Sequence, residues 1–187
     1  MNLSDLIRDA GQILLFRYRP AESYRYGGAV FLFVALAIAV SHAASMVSIF
    51  GQNTAIAAFA AVIGIGRWLI LTHSMRAMLH YFGAPHLPFL GYTLATEALI
   101  LPNLLPLYFP ETMSFISMWN IWIFWAQAFG FARMGGNRRG VILGYLVYWL
   151  GSGVFTAMML LLFSVAGWLE PQSLLDALKA YWTNPPK

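Results

Sequence analysis

Five stretches of the chain run for about twenty residues or more with almost no charge: 27–49, 54–80, 88–109, 112–132 and 141–168. At about 1.5 Å of rise per helical residue, each covers the roughly 30 Å hydrocarbon core of a bilayer. Only 10% of the 187 residues are charged and 60% are hydrophobic, whereas a soluble domain dresses its surface with about 25% charged residues. The sequence therefore predicts an all-α membrane protein, a five-transmembrane-helix bundle. The joining segments are short: Gly51-Gln52-Asn53, Gly83-Ala84-Pro85-His86, Pro110-Glu111 and Gly135-Gly136-Asn137-Arg138-Arg139. No soluble domain fits between the spans, so residues 1–187 read as one membrane domain of antiparallel neighbours.

Both ends are amphipathic. Within residues 1–20, Leu3, Leu6, Ile7, Ala10 and Leu14 recur at helical spacing, with Asp5, Arg8, Asp9 and Gln12 between them. Ser4 is the expected N-cap and Pro20 the expected stop. Such a one-sided helix is expected to lie in the membrane interface. A second interfacial helix is expected over 171–183, capped by Ser173 with Asp176 three residues on, and with Leu174, Leu175, Leu178 and Trp182 as its apolar face. A cleavable signal peptide is not expected, because the long apolar run begins only near Gly27.

Loop charge sets the expected orientation. Arg8, Arg17, Arg19 and Arg25 precede the first span, Arg76 lies near the end of the second, and Arg133, Arg138 and Arg139 flank the fourth loop. The first and third loops carry neither Lys nor Arg. The positive-inside rule then puts the N-terminus in the cytoplasm and the C-terminus outside. Lys179 and Lys187 on the tail run against this, beside Glu170 and Asp176.

Ionisable groups at membrane depth each need an account. Arg67 lies about thirteen residues from the outer end of the second span and Glu97 about twelve from that of the third, so their depths differ by about 2 Å. An intramembrane Arg67–Glu97 pair is expected, either as an ion pair that fixes which helix faces meet or as a relay or substrate anchor. His42, in the outer half of the first span, reads as a hydrogen-bonded packing residue. His73, Arg76 and His80 share one face of the second helix, near His86. Arg76 is a poor neighbour for a cation and no carboxylate joins them, so no metal site is assigned and the face reads as headgroup-facing. Pro102 and Pro106, with Asn103 between, free backbone carbonyls in the third span, which must be satisfied by protein or water in a kink or a binding site. Gly64/Gly66, Gly140/Gly144 and Gly151/Gly153 offer small surfaces for close helix contact.

Other functions find no footing. There is no cysteine, hence no disulfide, thiolate nucleophile or cysteine metal site. No metalloprotease, nucleophile-elbow or phosphate-loop motif occurs. Asp5, Asp9 and Asp176 all lie outside the spans, so paired aspartates of an intramembrane protease are not available. No basic stripe with interleaved aromatics supports nucleic-acid binding. The expectation is a non-enzymatic protein without cofactor, whose partners are the lipid bilayer and other membrane proteins or a copy of itself. The alternative is a small transporter, channel or transporter subunit using Arg67 and Glu97.

Behind the basic prelude Arg17-Tyr18-Arg19-Pro20, Gly91-Tyr92-Thr93 opens the third expected span with Pro102 downstream, Trp119, Trp122 and Trp125 stand in the fourth with Gly130-Phe131 near its end, and the Gly135–Arg139 loop follows. This order of features resembles the Yip1 domain family. The likeness runs from about Phe16 to Phe163. It implies five spans behind a cytoplasmic N-terminal segment and, from the similarity to bacterial members, an inner-membrane location. The acidic Asp-Leu-Tyr-Gly-Pro-type motif of eukaryotic members, implicated in vesicle trafficking and membrane shaping, is not present here.

Overall fold

The computed structural model describes residues 2–51 and 53–183, and their regular elements are all helical. Gln52, Lys187 and the Trp182 side chain lie outside the described residues. The α-helices are α1 (Leu3–Leu14), α2 (Gly28–Phe50), α3 (Thr54–Tyr81), α4 (Phe89–Glu97), α5 (Met113–Gly135), α6 (Arg138–Val165) and α7 (Pro171–Thr183). Tighter 3-10 turns occupy Ala21–Ser23, Ala98–Leu107 and Pro110–Thr112. Three helices, over Gly28–Val47, Thr54–Tyr81 and Arg138–Val165, are long and apolar enough to cross a membrane. Helix α5 equals α2 in length at 23 residues, but Ser114, Ser117, Asn120 and Gln127 dilute its apolar character.

Side-chain chemistry sets several helix starts. The Asn53 side chain accepts from Ala55 N–H at 2.8 Å and starts α3. The Asn137 side chain accepts from the N–H groups of Arg139 and Gly140 at 2.9 and 3.1 Å. Arg138 and Arg139, expected in a loop, thus form the first turn of α6. Gly136, at φ 66°, ends α5 in the left-handed region that glycine enters without strain.

Both terminal helices differ from expectation at their starts. Helix α1 is capped at Asn2 rather than Ser4, with the Asp5 carboxylate accepting Asn2 N–H at 2.9 Å. It stops at Leu14, well before Pro20, because Phe16 turns the chain at φ 57° while Arg17 N–H donates to the Gln12 carbonyl at 2.9 Å. Helix α7 starts at Pro171, whose fixed φ and missing N–H suit a first position. Ser173 is therefore inside the helix, its hydroxyl donating to the Glu170 carbonyl at 2.8 Å.

Helix α3 is the central element, packed along α2 on one side and α6 on the other. Gly144 of α6 lets Met75 of α3 approach to 2.6 Å from where a Cβ would stand, the close contact expected of small residues. One apolar cluster, with Leu6, Ile13, Met75, Leu79, Tyr92 and Phe131, lies toward the ends where α2 and α6 begin. A second, with Ile56, Phe59, Ile63 and Phe163, lies toward the opposite ends, and Leu174 of α7 packs on it.

Candidate functional site

Four helices bring a line of polar side chains into the interior. Trp68 and Thr72 lie one turn apart on α3, and Thr93 and Thr96 one turn apart on α4. Trp68 Nε1 donates to Thr93 Oγ1 at 3.0 Å, and the Thr72 and Thr93 hydroxyls meet at 2.7 Å. The Thr96 hydroxyl donates to the Thr93 carbonyl at 2.9 Å and accepts from Gln127 Nε2 of α5 at 2.7 Å. Tyr145 of α6 donates to Gln127 Oε1 at 2.9 Å. Trp68, Thr72, Thr93, Thr96 and Gln127 are all buried. With no water to replace them, such interhelical bonds contribute about 0.6 kcal/mol each and up to about 1.7. Sequence reasoning passed over this line. Its signal was available: threonines three apart in one apolar run, and Gln127 as an amide inside another.

The expected Arg67–Glu97 pair does not form. Arg67 is exposed, and its Nε donates to the Tyr148 hydroxyl of α6 at 3.2 Å, with the guanidinium carbon 5.9 Å from the Tyr148 ring centre. Glu97 is half-buried and, among the described residues, has no hydrogen bond or ion pair, although Arg67 and Tyr145 are within electrostatic reach. Equal depth was satisfied but facing was not. Successive helical residues point about 100° apart. With Trp68 turned to α4, Arg67 is turned to the side that α6 covers.

Helix α4 breaks at Glu97. The helix tightens into the 3-10 segment Ala98–Leu107, which contains Pro102 and Pro106. In 3-10 geometry the N–H of residue 102 would reach the Leu99 carbonyl, and proline has none. Trp119 of α5 supplies the missing donor, its Nε1 lying 3.0 Å from that carbonyl. Among the described residues, Asn103 Oδ1 is buried without a partner, as is Ser41 Oγ on α2.

The histidines do not converge on a metal. His42 is half-buried, with Nδ1 3.0 Å from the Ile38 carbonyl one turn back, and Gly64 lets its ring lie close to α3. His73 is exposed and bonds the Leu69 carbonyl at 2.8 Å. His80 bonds the Ala84 carbonyl at 3.0 Å and stacks on His86 at 3.6 Å. Arg76 is exposed. Among the described residues, no three His, Asp or Glu side chains are grouped to hold an ion.

A second polar constellation holds the N-terminal segment to the bundle. The Asp9 side chain, 0% exposed, accepts from Arg19 Nη1 at 2.7 Å and from the Tyr26 hydroxyl at 2.9 Å. Asp9 is thus buried, where the sequence put it on the solvated face of α1. The helix packs on α4 and α5 through Leu6, Ala10 and Ile13, while Leu3 and Ile7 stay exposed on its other apolar edge. Tyr18 donates to the Ala126 carbonyl at 2.8 Å, and Trp122 Nε1 donates to the Leu14 carbonyl at 3.0 Å. Burial, and then the neighbouring Tyr24, push the Tyr18 phenol up to about 12, against the pull of Arg133. Burial and the bond to Asp9 raise Tyr26 as well.

This segment also crosses Gly91-Tyr92. A Cβ on Gly91 would fall 1.7 Å from the Tyr24 carbonyl oxygen. The fully buried Tyr92 packs edge-on against Tyr18, Tyr24 and Phe131, and its hydroxyl donates to the Gln127 carbonyl at 3.0 Å across Gly130. No protein family, curated protein or solved structure matches the chain.

Proposed function

We propose that the chain is a five-span, non-enzymatic protein of the Yip1-like type that organises a membrane or binds a membrane-protein partner. The spans are α2, α3, α4 with its 3-10 continuation, α5 and α6. The N-terminus is cytoplasmic and the C-terminus outside, in a bacterial inner membrane. The observation that carries the non-transporting reading is the closed polar line. Its donors and acceptors from Trp68 to Tyr145 satisfy one another. The resemblance gains support from the meeting of its own residues: Gly91 under Tyr24, and Tyr92 against Tyr18 and across Gly130. The arginines of α1 to α2, the α3 end and the α5–α6 turn favour the stated orientation.

Reporter fusions at residues in each loop test the topology: activity of a cytoplasmic reporter is expected after Gly83 and Gly136, and of an external reporter after Gly51 and Glu111. An N-terminal reporter found outside overturns the orientation. Crosslinking followed by capture in mild detergent should return a recurrent membrane partner or a second copy. Repeated recovery of the monomer alone counts against the partner reading.

A small transporter subunit is the second reading, favoured by Glu97, Ser41 Oγ and Asn103 Oδ1, polar groups the interior leaves without hydrogen-bond partners. In proteoliposomes, equal flux for wild type and Glu97→Gln removes it.

A further inference from the structure

Helices α5 and α6 leave the Gly136 turn side by side but diverge, since α6 follows α3 while α5 leans toward α1 and α4. Two adjoining clefts open where they part. One, of about 470 Å³, is bounded by Phe16, Tyr18, Phe129, Ala132, Arg133 and Arg138. The other, of about 320 Å³, shares Phe129, Ala132 and Arg138 and continues past Ala128, Ile142 and Tyr145 to Trp125 and Phe124. Both are within the roughly 300–1,000 Å³ range of small-molecule sites.

The chemistry along this groove is graded. At the turn end stand Arg133 and Arg138, both exposed and with neither hydrogen bond nor ion pair among the described residues. Further in, the walls are aromatic and aliphatic. From Arg133 to Phe124 the groove follows ten residues of α5, nine steps or about 14 Å of helix. That is close to half of the roughly 30 Å hydrocarbon core, the depth of a single leaflet. Free guanidinium donors at one end and a leaflet-deep apolar trough behind them match one kind of amphiphile.

We propose that this groove is a site for an anionic phospholipid, its phosphate held by Arg133 and Arg138 and one acyl chain lying between α5 and α6 against Phe124, Trp125 and Ile142. Charge complementarity selects an anionic lipid over a zwitterionic one, and the trough requires a lipid rather than a free phosphate. The inference rests on α5 and α6 crossing the membrane, and goes beyond the proposed function in naming a ligand.

The test uses the full-length protein in nanodiscs containing phosphatidylcholine with a small fraction of brominated phosphatidylglycerol or brominated phosphatidylcholine. Tryptophan quenching reads proximity, and native mass spectrometry reads retained lipid. The wild type should retain phosphatidylglycerol preferentially and be quenched more by its brominated form. Arg133→Gln/Arg138→Gln should lower that preference about a hundredfold, since it removes two charge-assisted hydrogen bonds to the phosphate. Arg76→Gln/Arg139→Gln, at the same end but off the groove, should leave most of it. Ala128→Leu/Ala132→Leu, which fills the trough and keeps the charge, should abolish retention while brominated phosphatidylcholine still quenches. Equal losses from the two arginine pairs, or retention unaffected by the filled trough, overturn the proposal. So does a partner helix crosslinked into the groove in place of lipid. A protein quenched by neither lipid has not inserted, a failure of the spanning reading that is distinct from equal quenching by both.

Discussion

Arg19→Leu should release α1 from the bundle without unfolding the spans. Asp9 is 0% exposed and Arg19 33% exposed at the side chain, with 2.7 Å between Nη1 and the carboxylate. Removing one partner of a buried ion pair costs about 3–5 kcal/mol, because a desolvated charge is left behind. Two features reduce this. Water already reaches a third of Arg19 and screens the attraction, and Tyr26 still donates to Asp9 at 2.9 Å. The net expectation is about 2–3 kcal/mol. At about 1.36 kcal/mol per factor of ten, the undocked population of α1 grows roughly 30- to 150-fold. Hydrogen exchange read on peptides from residues 3–14 in nanodiscs measures this, since local opening sets amide protection. Peptides from α3 should be unchanged. Asp9→Leu/Arg19→Leu should recover most of the protection, as apolar replacement of a buried pair is often neutral or better. The reasoning fails if Arg19→Leu loses less than about tenfold in protection, or if the double variant is no better than the single one.

Three further outcomes are expected. Gly91→Ala forces a Cβ to within 1.7 Å of the Tyr24 carbonyl oxygen, whereas Gly153 has nothing within 4 Å; the first should lower thermal stability in detergent by about 1–3 kcal/mol or more, and Gly153→Ala should not. Docking of the N-terminal segment should weaken at alkaline pH, because the Tyr18 phenol is raised from 10.0 to about 12 when docked. Its contribution is complete below pH 10 and is lost as pH rises through 12, since the undocked phenol releases its proton first; in Tyr18→Phe that slope in α1 exchange protection should flatten. Gln127→Leu removes a donor to Thr96 and an acceptor for Tyr145 and should cost about 1–3 kcal/mol in reversible unfolding, more than Gln172→Leu on the exposed tail.

Apolar run length carried most of the fold. The helix bounds fall within a few residues of the five runs, because a long uncharged stretch has few alternatives to helix when its backbone must satisfy itself. Caps were less legible where two polar residues competed: Asn2 and Ser4 both offer an oxygen, and only the Asp5 bond to Asn2 N–H decides between them. The terminal helix was read as polar wherever it carried charge. Asp9 shows why that fails, since its partner Arg19 lies ten residues on, beyond any within-helix pairing. The Arg67–Glu97 expectation failed for a related reason. Sequence gives depth along an antiparallel pair through rise per residue, but not the rotation of each helix about its own axis, and Tyr148 on a third helix took the contact.

The interior polar line and the break after α4 have one structural logic. An apolar helix packed on apolar neighbours can slide or rotate with small loss, since lipid tails are as apolar as leucine and supply no directional preference. Thr93 bonded to Trp68 and Thr72, and Thr96 bonded to Gln127, tie α4 to α3 and α5 at the same level. A shift of α4 by one residue would separate all three contacts and leave buried hydroxyls unpaired. One turn further on, Pro102 leaves the Leu99 carbonyl in need of a donor, and Trp119 provides it from α5. The break therefore makes α5 necessary to the segment that continues α4, just as Gln127 makes α4 necessary to α5. Loss of either contact should reduce the uniqueness of packing before it reduces helix content, because each helix satisfies most of its own backbone without the other.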